Sequence, residues 1–271
     1  VNKTIFVLLD ACQYAVGTEY LGYLEHLIDY KQGAKYRVKG ELPSMSRPMY
    51  TTLMTGLPTY QHGIVSNDTV RRLECESVFS LCKQAGGTTA AAAYFWMSEL
   101  FRHAPFLKPD DRIQLSPEGD IDYGIFYWDD LYPDSHLFAD GEYLRKAYQP
   151  DFLMYHSMGI DEWGHLKGSE SQEFKLAVLS VGDVLSRLIP QWLADGYQVV
   201  VTGDHGINEV GLHGGTTTIQ TDVPLYILSD RVEKGRFDEV PIAQLNVAPL
   251  LCELLGIKKA EKMTQTLQIK M

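Results

Sequence analysis

The chain has 271 residues, 45% hydrophobic and 22% charged, with a formal net charge of -11. That composition suits one large globular domain, or one domain carrying a small insertion. The acidity argues against binding nucleic acid, whose phosphates would be repelled, but not against an enzyme acting on phosphates through bound cations.

At the N-terminus, Val1-Asn-Lys-Thr leads directly into the apolar run Thr4-Ile-Phe-Val-Leu-Leu, which reads as a strand ending at Asp10. No charged leader precedes it, and no apolar run reaches the ~18 residues that span a bilayer. The four cysteines, Cys12, Cys75, Cys82 and Cys252, are scattered and form no Cys-x-x-Cys pair, which disfavours a thiolate zinc site and favours a reducing compartment. The expectation is a cytoplasmic protein without a membrane span. Pro43 to Gly56 follows, with Ser46 near the N-terminus of a helix that has Pro48 in its first turn and stops at Gly56. Ser77 to Ala85 reads as a helix closed by Gly86-Gly87.

Further strands are expected at Thr88 to Phe95, Phe152 to His156, Gln198 to Thr202 and Pro224 to Leu228. Most are unbroken apolar runs, as in a parallel sheet buried on both faces. Glu170 to Ala194 is a long amphipathic helix that Pro190 should end or kink, and Gln244 to Leu255 is a helix stopping at Gly256. Strand–helix alternation gives the expected fold class, an α/β three-layer sandwich with a mostly parallel central sheet. Phe101 to Ser135 has no clear period and reads as a loop or small cap inserted over one edge, within a single domain spanning 1–271.

Ligands of open α/β sheets bind at the carboxyl ends of strands, and the chemistry-bearing residues collect there. Asp10 ends the first strand. Asp161 and His165 follow the strand at Phe152, and Asp204, His205 and His213 follow the strand at Gln198. Asp161 and His165 stand at i, i+4, so one helical turn presents both on one face. Asp204 and His205 are adjacent and need an irregular loop to converge, which Gly203 and Gly206 permit. Each of these residues has a bland reading as a turn, cap or core residue; three separate segments supplying Asp and His at strand ends point together to a metal centre. Carboxylate and imidazole donors suit zinc, with manganese or iron as alternatives. Ser46 reads either as a cap or as a nucleophile that the helix dipole and a metal would activate, and Ser44 competes for the capping role.

With these residues in place, the chain resembles the alkaline phosphatase superfamily, most closely its nucleotide pyrophosphatase/phosphodiesterase branch, and also the ethanolamine-phosphate transferases of lipid-anchor synthesis. The resemblance rests on "VLLDAC", "PSMSRPMYTTLMTGLPTYQHGIVSN", "AAAYFWMSELF", "HSMGIDEWGHLKG" and "TGDHGI…HGG", followed by "NVAPLLCELLGI". It implies two zinc ions per chain, one held by Asp10, Ser46, Asp204 and His205 and the other by Asp161, His165 and His213. It further implies that Ser46 attacks phosphorus to form a covalent phospho-enzyme, which water activated at the second metal hydrolyses. Asn67 matches the residue that binds a non-bridging phosphate oxygen, and His62 is expected to be structural.

Three features depart from the family pattern: Ala11 stands where Gly usually follows the first Asp, the nucleophile is Ser rather than Thr, and His213 follows His205 closely, as in the transferases. The implied activity is a metal-dependent phosphodiesterase acting on a small phosphate ester or nucleotide-like substrate. A phosphomonoesterase, a phosphonate hydrolase and a phosphotransferase are rivals on the same metals, with Arg47 the cation a monoester would use. A sulfatase is disfavoured because Tyr50 replaces the Arg of its motif, and a non-catalytic metal-binding module because every expected position is filled. Tyr94, Phe95, Trp96, Tyr127 and Trp128 are candidates to stack on a substrate ring, with Phe95 expected in the core.

Overall fold

The computed structural model describes residues 1–271. Nine strands form one sheet: β1 (Thr4–Leu9), β2 (Ala34–Lys39), β3 (Thr89–Tyr94), β4 (Ile113–Gln114), β5 (Tyr123–Tyr127), β6 (Phe152–Ser157), β7 (Gln198–Gly203), β8 (Asp222–Leu228) and β9 (Gly235–Ala243). Their order across the sheet is β4-β5-β3-β6-β1-β7-β8-β2-β9. From β5 through β3, β6 and β1 to β7 every pairing is parallel, and β8 is antiparallel to both β7 and β2.

β1 is buried along its whole length. Alternate side chains of a strand face opposite sides, and here Phe6 and Leu8 enter a core cluster of 39 residues while Ile5, Val7 and Leu9 enter another of 33. Two cores of similar size, one on each face, make the fold a three-layer α/β sandwich and account for the unbroken apolar runs. Helices Ser46–Thr55, Val78–Gln84 and Val247–Leu255 contribute to the first core. Helices Gly22–Asp29, Asp134–Tyr148 and Gln172–Ala194 contribute to the second.

The structure adds detail to these expectations. Pro224 to Leu228 lies in an antiparallel strand, because the connection from β7 carries only the four-residue helix Thr218–Thr221 and no crossover that would return the chain in parallel. The 101–135 stretch supplies β4 and β5 to the sheet rather than standing wholly outside it; five residues bounded by Asp and Trp128-Asp129 are too short to show a period. Pro190 does not end its helix, which runs on to Ala194, and Gly196, in the left-handed region at φ 82°, follows its end. By length and composition this 23-residue helix, whose most apolar 18-residue stretch has mean hydropathy 1.2, could also cross a membrane. Lys175, Asp183 and Arg187 interrupt its apolar sequence. In the fold its Phe174, Val178, Val181, Leu185, Ile189 and Trp192 are buried in the second core.

Candidate metal centre and nucleophile

β6, β1 and β7 are adjacent and parallel, with Leu9 in register with Ser157 on one side and Gly203 on the other. The residues just past these three ends therefore meet. Asp10, Asp204 and His205 form one group whose ligand atoms all lie within 4.8 Å of one another, and Asp161, His205 and His213 form a second. Helix Gly159–Lys167 carries Asp161 and His165 one turn apart, with His165 Nε2 3.4 Å from Asp161 Oδ2. The His205 ring stacks on that of His213 at 4.2 Å between centroids, and His165 lies 5.0 Å from His213. All the residues expected to hold metal are thus brought together, with His205 between the two groups.

The histidines share one hydrogen-bonding arrangement. Nδ1 of His165 is 2.9 Å from the Gly211 carbonyl, Nδ1 of His213 is 3.1 Å from that of Ser44, and Nδ1 of His205 is 3.2 Å from that of Gly206. A carbonyl only accepts, so each Nδ1 carries a proton and it is Nε2 that is left to offer a lone pair to a metal, at His165 once the proton shared with Asp161 is displaced. His205 Nε2 lies 3.4 Å from Asp10 Oδ1, 3.3 Å from Asp204 Oδ2 and 3.0 Å from Ser46 Oγ. Asp10 Oδ1, Asp204 Oδ2 and Asp161 Oδ1 are buried without any hydrogen-bond partner in the protein. Orphaned carboxylate oxygens are costly in an interior. Three of them beside imidazole lone pairs fit divalent cations.

The electrostatics agree. Burial, reinforced by Asp204 and Asp161, pushes the Asp10 carboxyl well above its ordinary range, and burial does the same to Asp204. Burial also pushes Asp161 upward, but the hydrogen bond from His165 and the neighbouring histidines outweigh it and hold the carboxyl low. The same pairing raises His165 to about 9, while burial and His205 lower His213 to about 4. Carboxylates crowded like this resist ionising together until a cation is present.

Ser46 is the first residue of helix Ser46–Thr55 and is buried; Met45 occupies the capping position and makes no side-chain cap. Neither serine caps the helix: Ser44 Oγ donates to the Gly215 carbonyl, and Ser46 Oγ faces His205. Asn67 stands beside the helix start, its Oδ1 accepting from the Arg47 backbone N–H at 3.0 Å. Ala11 adopts φ 55°, a left-handed conformation natural to Gly, and its N–H donates to Asp204 Oδ1 at 3.1 Å. His62 is structural as expected: Nε2 meets Thr52 Oγ1 at 3.1 Å and Nδ1 accepts from the Ile64 N–H.

Arg47 does not reach for substrate. Its side chain is buried, paired with Glu99 Oε2 at 2.8 Å, bonded to the Thr69 carbonyl and laid over the Trp96 ring at 4.5 Å. Of the aromatic candidates, Tyr94 and Tyr127 are core residues, while Phe95 and Trp96 are half-buried and Trp128 is 37% exposed. Two site residues escaped the sequence reading: Tyr50, whose hydroxyl donates to Asp10 Oδ2, and His156, whose Nε2 is 3.2 Å from the same oxygen. The available signals were a hydroxyl one turn after Ser46 and a His inside a buried strand.

Residues 4–250 match the sequence model of the family described as type I phosphodiesterase / nucleotide pyrophosphatase. The chain is 23% identical to the human GPI ethanolamine phosphate transferase 2 catalytic subunit, over 94% of this chain and 26% of that protein. It is 26% identical to the mouse GPI ethanolamine phosphate transferase 3 catalytic subunit, over 88% of this chain and 21% of that protein. The chain thus spans about a quarter of the length of these relatives. Its fold is similar to murine ectonucleotide pyrophosphatase/phosphodiesterase 5, with a TM-score of 0.76 at 14% identity over 96% of both chains. It is also similar to a phosphonate monoester hydrolase from Silicibacter pomeroyi, with a TM-score of 0.68 at 12% identity over 99% of this chain and 76% of that one. Fold, strand-end residues and the match over nearly the whole chain agree: the chain belongs to the type I phosphodiesterase / nucleotide pyrophosphatase family.

Proposed function

We propose that the chain is a two-zinc phosphodiesterase whose nucleophile is Ser46. The observation that carries this reading is the convergence of the Ser46 hydroxyl, the His205 Nε2 lone pair and the orphaned oxygens of Asp10 and Asp204 at the start of one helix. Asp10, Ser46, Asp204 and His205 would hold one ion and Asp161, His165 and His213 the other. Bound there, two zinc ions supply the positive charge that favours the serine alkoxide and stabilises the phosphoryl group in flight.

The chain's own residues do the rest. Ser46 Oγ attacks phosphorus, the bond to the leaving alcohol breaks, and Ser46 carries the phosphoryl ester. The N-terminus of the Ser46–Thr55 helix favours the negative charge that builds there. Arg47 N–H holds Asn67 by its Oδ1, which leaves the Nδ2 hydrogens as donors to a non-bridging oxygen. Water then attacks phosphorus, the bond from Ser46 Oγ to phosphorus breaks, and the remaining phosphate monoester leaves. Transfer to an acceptor alcohol is the second reading; it is favoured by the close spacing of His205 and His213 and by the transferases that share most of this chain.

Charge favours a diester over a monoester. Asp10, Asp161, Asp204 and the Ser46 alkoxide offset most of the positive charge that two divalent ions would bring, which suits a singly charged diester better than a doubly charged monoester. The second charge of a monoester needs a further cation, and Arg47 is committed to Glu99.

Metal-stripped protein should turn over neither bis-p-nitrophenyl phosphate nor p-nitrophenyl phosphate, and zinc or manganese should restore hydrolysis with preference for the diester. Preference for the monoester would overturn the diesterase assignment. Addition of an alcohol that diverts product from the phosphate monoester to a new diester would favour transfer. Ser46→Ala should keep fold and metal content while losing on the order of a thousandfold or more in kcat; retained turnover would remove Ser46 as nucleophile.

A further inference from the structure

We propose that Tyr50 and His156 are positioning residues for Asp10. They hold its Oδ2 from two sides so that Oδ1 alone is presented to the metal shared with Asp204 and His205. This inference rests on the metal reading above and concerns what shapes one of its sites.

Tyr50, Asp10 and His156 are each fully buried. The Tyr50 hydroxyl donates to Asp10 Oδ2, and His156 Nε2 lies 3.2 Å from the same oxygen. An ionised carboxylate only accepts, so Nε2 of His156 carries the ring proton. Nδ1 is then a lone pair, and it has no partner in the protein. The rings of Tyr50 and His156 meet edge to face at 4.6 Å and 70°, which fixes both donors relative to each other.

The asymmetry on Asp10 argues for this role over simple burial of a polar cluster. Two donors converge on Oδ2 while Oδ1, in the same carboxylate, has none. A carboxylate buried for structure alone would gain from having both oxygens satisfied. Here the unsatisfied oxygen is the one facing His205 Nε2 at 3.4 Å. The donors also come from separate elements. His156 lies on β6, in register with Leu8 of β1, two residues before Asp10. Tyr50 lies one turn after Ser46 on the same helix. Its hydroxyl therefore ties the position of the nucleophile's helix to the orientation of a metal ligand, and partners of this kind tune affinity without touching the metal.

The experiment titrates the full chain with zinc against a chromophoric chelator and compares it with Tyr50→Phe, His156→Leu and His156→Gln. The unmodified chain should bind two equivalents. Tyr50→Phe and His156→Leu should each weaken one equivalent 10- to 100-fold and leave the other within a few-fold. With cobalt in place of zinc, both variants should change the visible absorption of that one site. His156→Gln retains an amide donor and should recover most of the affinity. Unchanged affinities and cobalt spectra in variants whose metal-free melting matches the unmodified chain would overturn the proposal. Equal weakening of both equivalents with early melting would also overturn it, since that is the mark of a purely structural cluster. A chain that binds no zinc at all would sink the two-metal reading itself.

Discussion

At the scale of single residues, the site is governed by which atoms are already occupied. His165, His205 and His213 spend Nδ1 on backbone carbonyls and keep Nε2 for the centre. His213→Ala should therefore remove one metal equivalent and leave the Asp10, Asp204 and His205 group loaded; unchanged stoichiometry would take His213 out of the centre. Proton traffic follows from the same contacts. In metal-free protein His165 titrates at about 9, above its ordinary 6.5, because Asp161 bonds and attracts the charged ring. Its contribution to metal-free stability is then complete below about pH 6.5 and is lost as pH rises through about 9. A cation must displace that proton, so zinc uptake at pH 7 should release protons and weaken as pH falls. Calorimetry in two buffers of different ionisation enthalpy measures the release, and equal heats in both would contradict it. The strand-end Asp and His residues were legible because their types are informative without contacts. Tyr50 and His156 were not, because their role exists only through a partner 40 and 146 positions away.

Among the elements, the strands read correctly bury apolar residues on both faces, and two of the elements missed hide a charge. β2, Ala-Lys-Tyr-Arg-Val-Lys, looks too polar for a sheet interior. Yet Lys35 is fully buried, because Glu25 at 2.7 Å, Asp238 at 3.4 Å and Thr18 at 2.8 Å surround its ammonium. No local pattern announces such a pairing. Helix Asp134–Tyr148 was passed over for the same reason. Its Glu142 accepts Arg145 through both oxygens at 2.7 and 2.9 Å, Trp192 Nε1 at 2.7 Å and the Tyr155 hydroxyl at 3.0 Å. One carboxylate thus joins this helix to β6 and to helix Gln172–Ala194. Glu142→Ala leaves the Trp192 and Tyr155 donors without their acceptor and Arg145 paired with Asp195 alone, and should cost about 1–3 kcal/mol for each stranded donor, read by urea denaturation. The lesion lies away from the strand ends, so zinc stoichiometry should survive; loss below 1 kcal/mol would show that the cluster does not join the layers energetically.

Across the whole molecule, the centre sits where segments far apart in the chain converge. Asp10, Asp161 and Asp204 come from the ends of three strands drawn from the beginning, middle and last third of the sequence, and parallel pairing alone aligns those ends. Metal ligation would therefore cross-link the middle of the sheet, while without a cation the same positions leave Asp10 Oδ1, Asp161 Oδ1 and Asp204 Oδ2 buried and unpaired. Stability should consequently depend on metal well beyond any effect on surface charge. A ligand that binds only the folded chain stabilises it by about 2.7 kcal/mol at a free concentration of 100 times Kd. Two such sites give about 5 kcal/mol, and for a chain of this size roughly 2–4 °C accompany each kcal/mol, so chelation should lower Tm by about 10–20 °C, and zinc should restore it. Raising salt to 1 M, where the Debye length falls to about 3 Å, should leave most of that shift in place, because the ligating oxygens are buried. A Tm indifferent to chelation, in protein shown to carry two zinc ions beforehand, would mean that the sheet holds these carboxylates in place unaided. A shift that salt abolishes would place the bound ions on the acidic surface rather than at the strand ends.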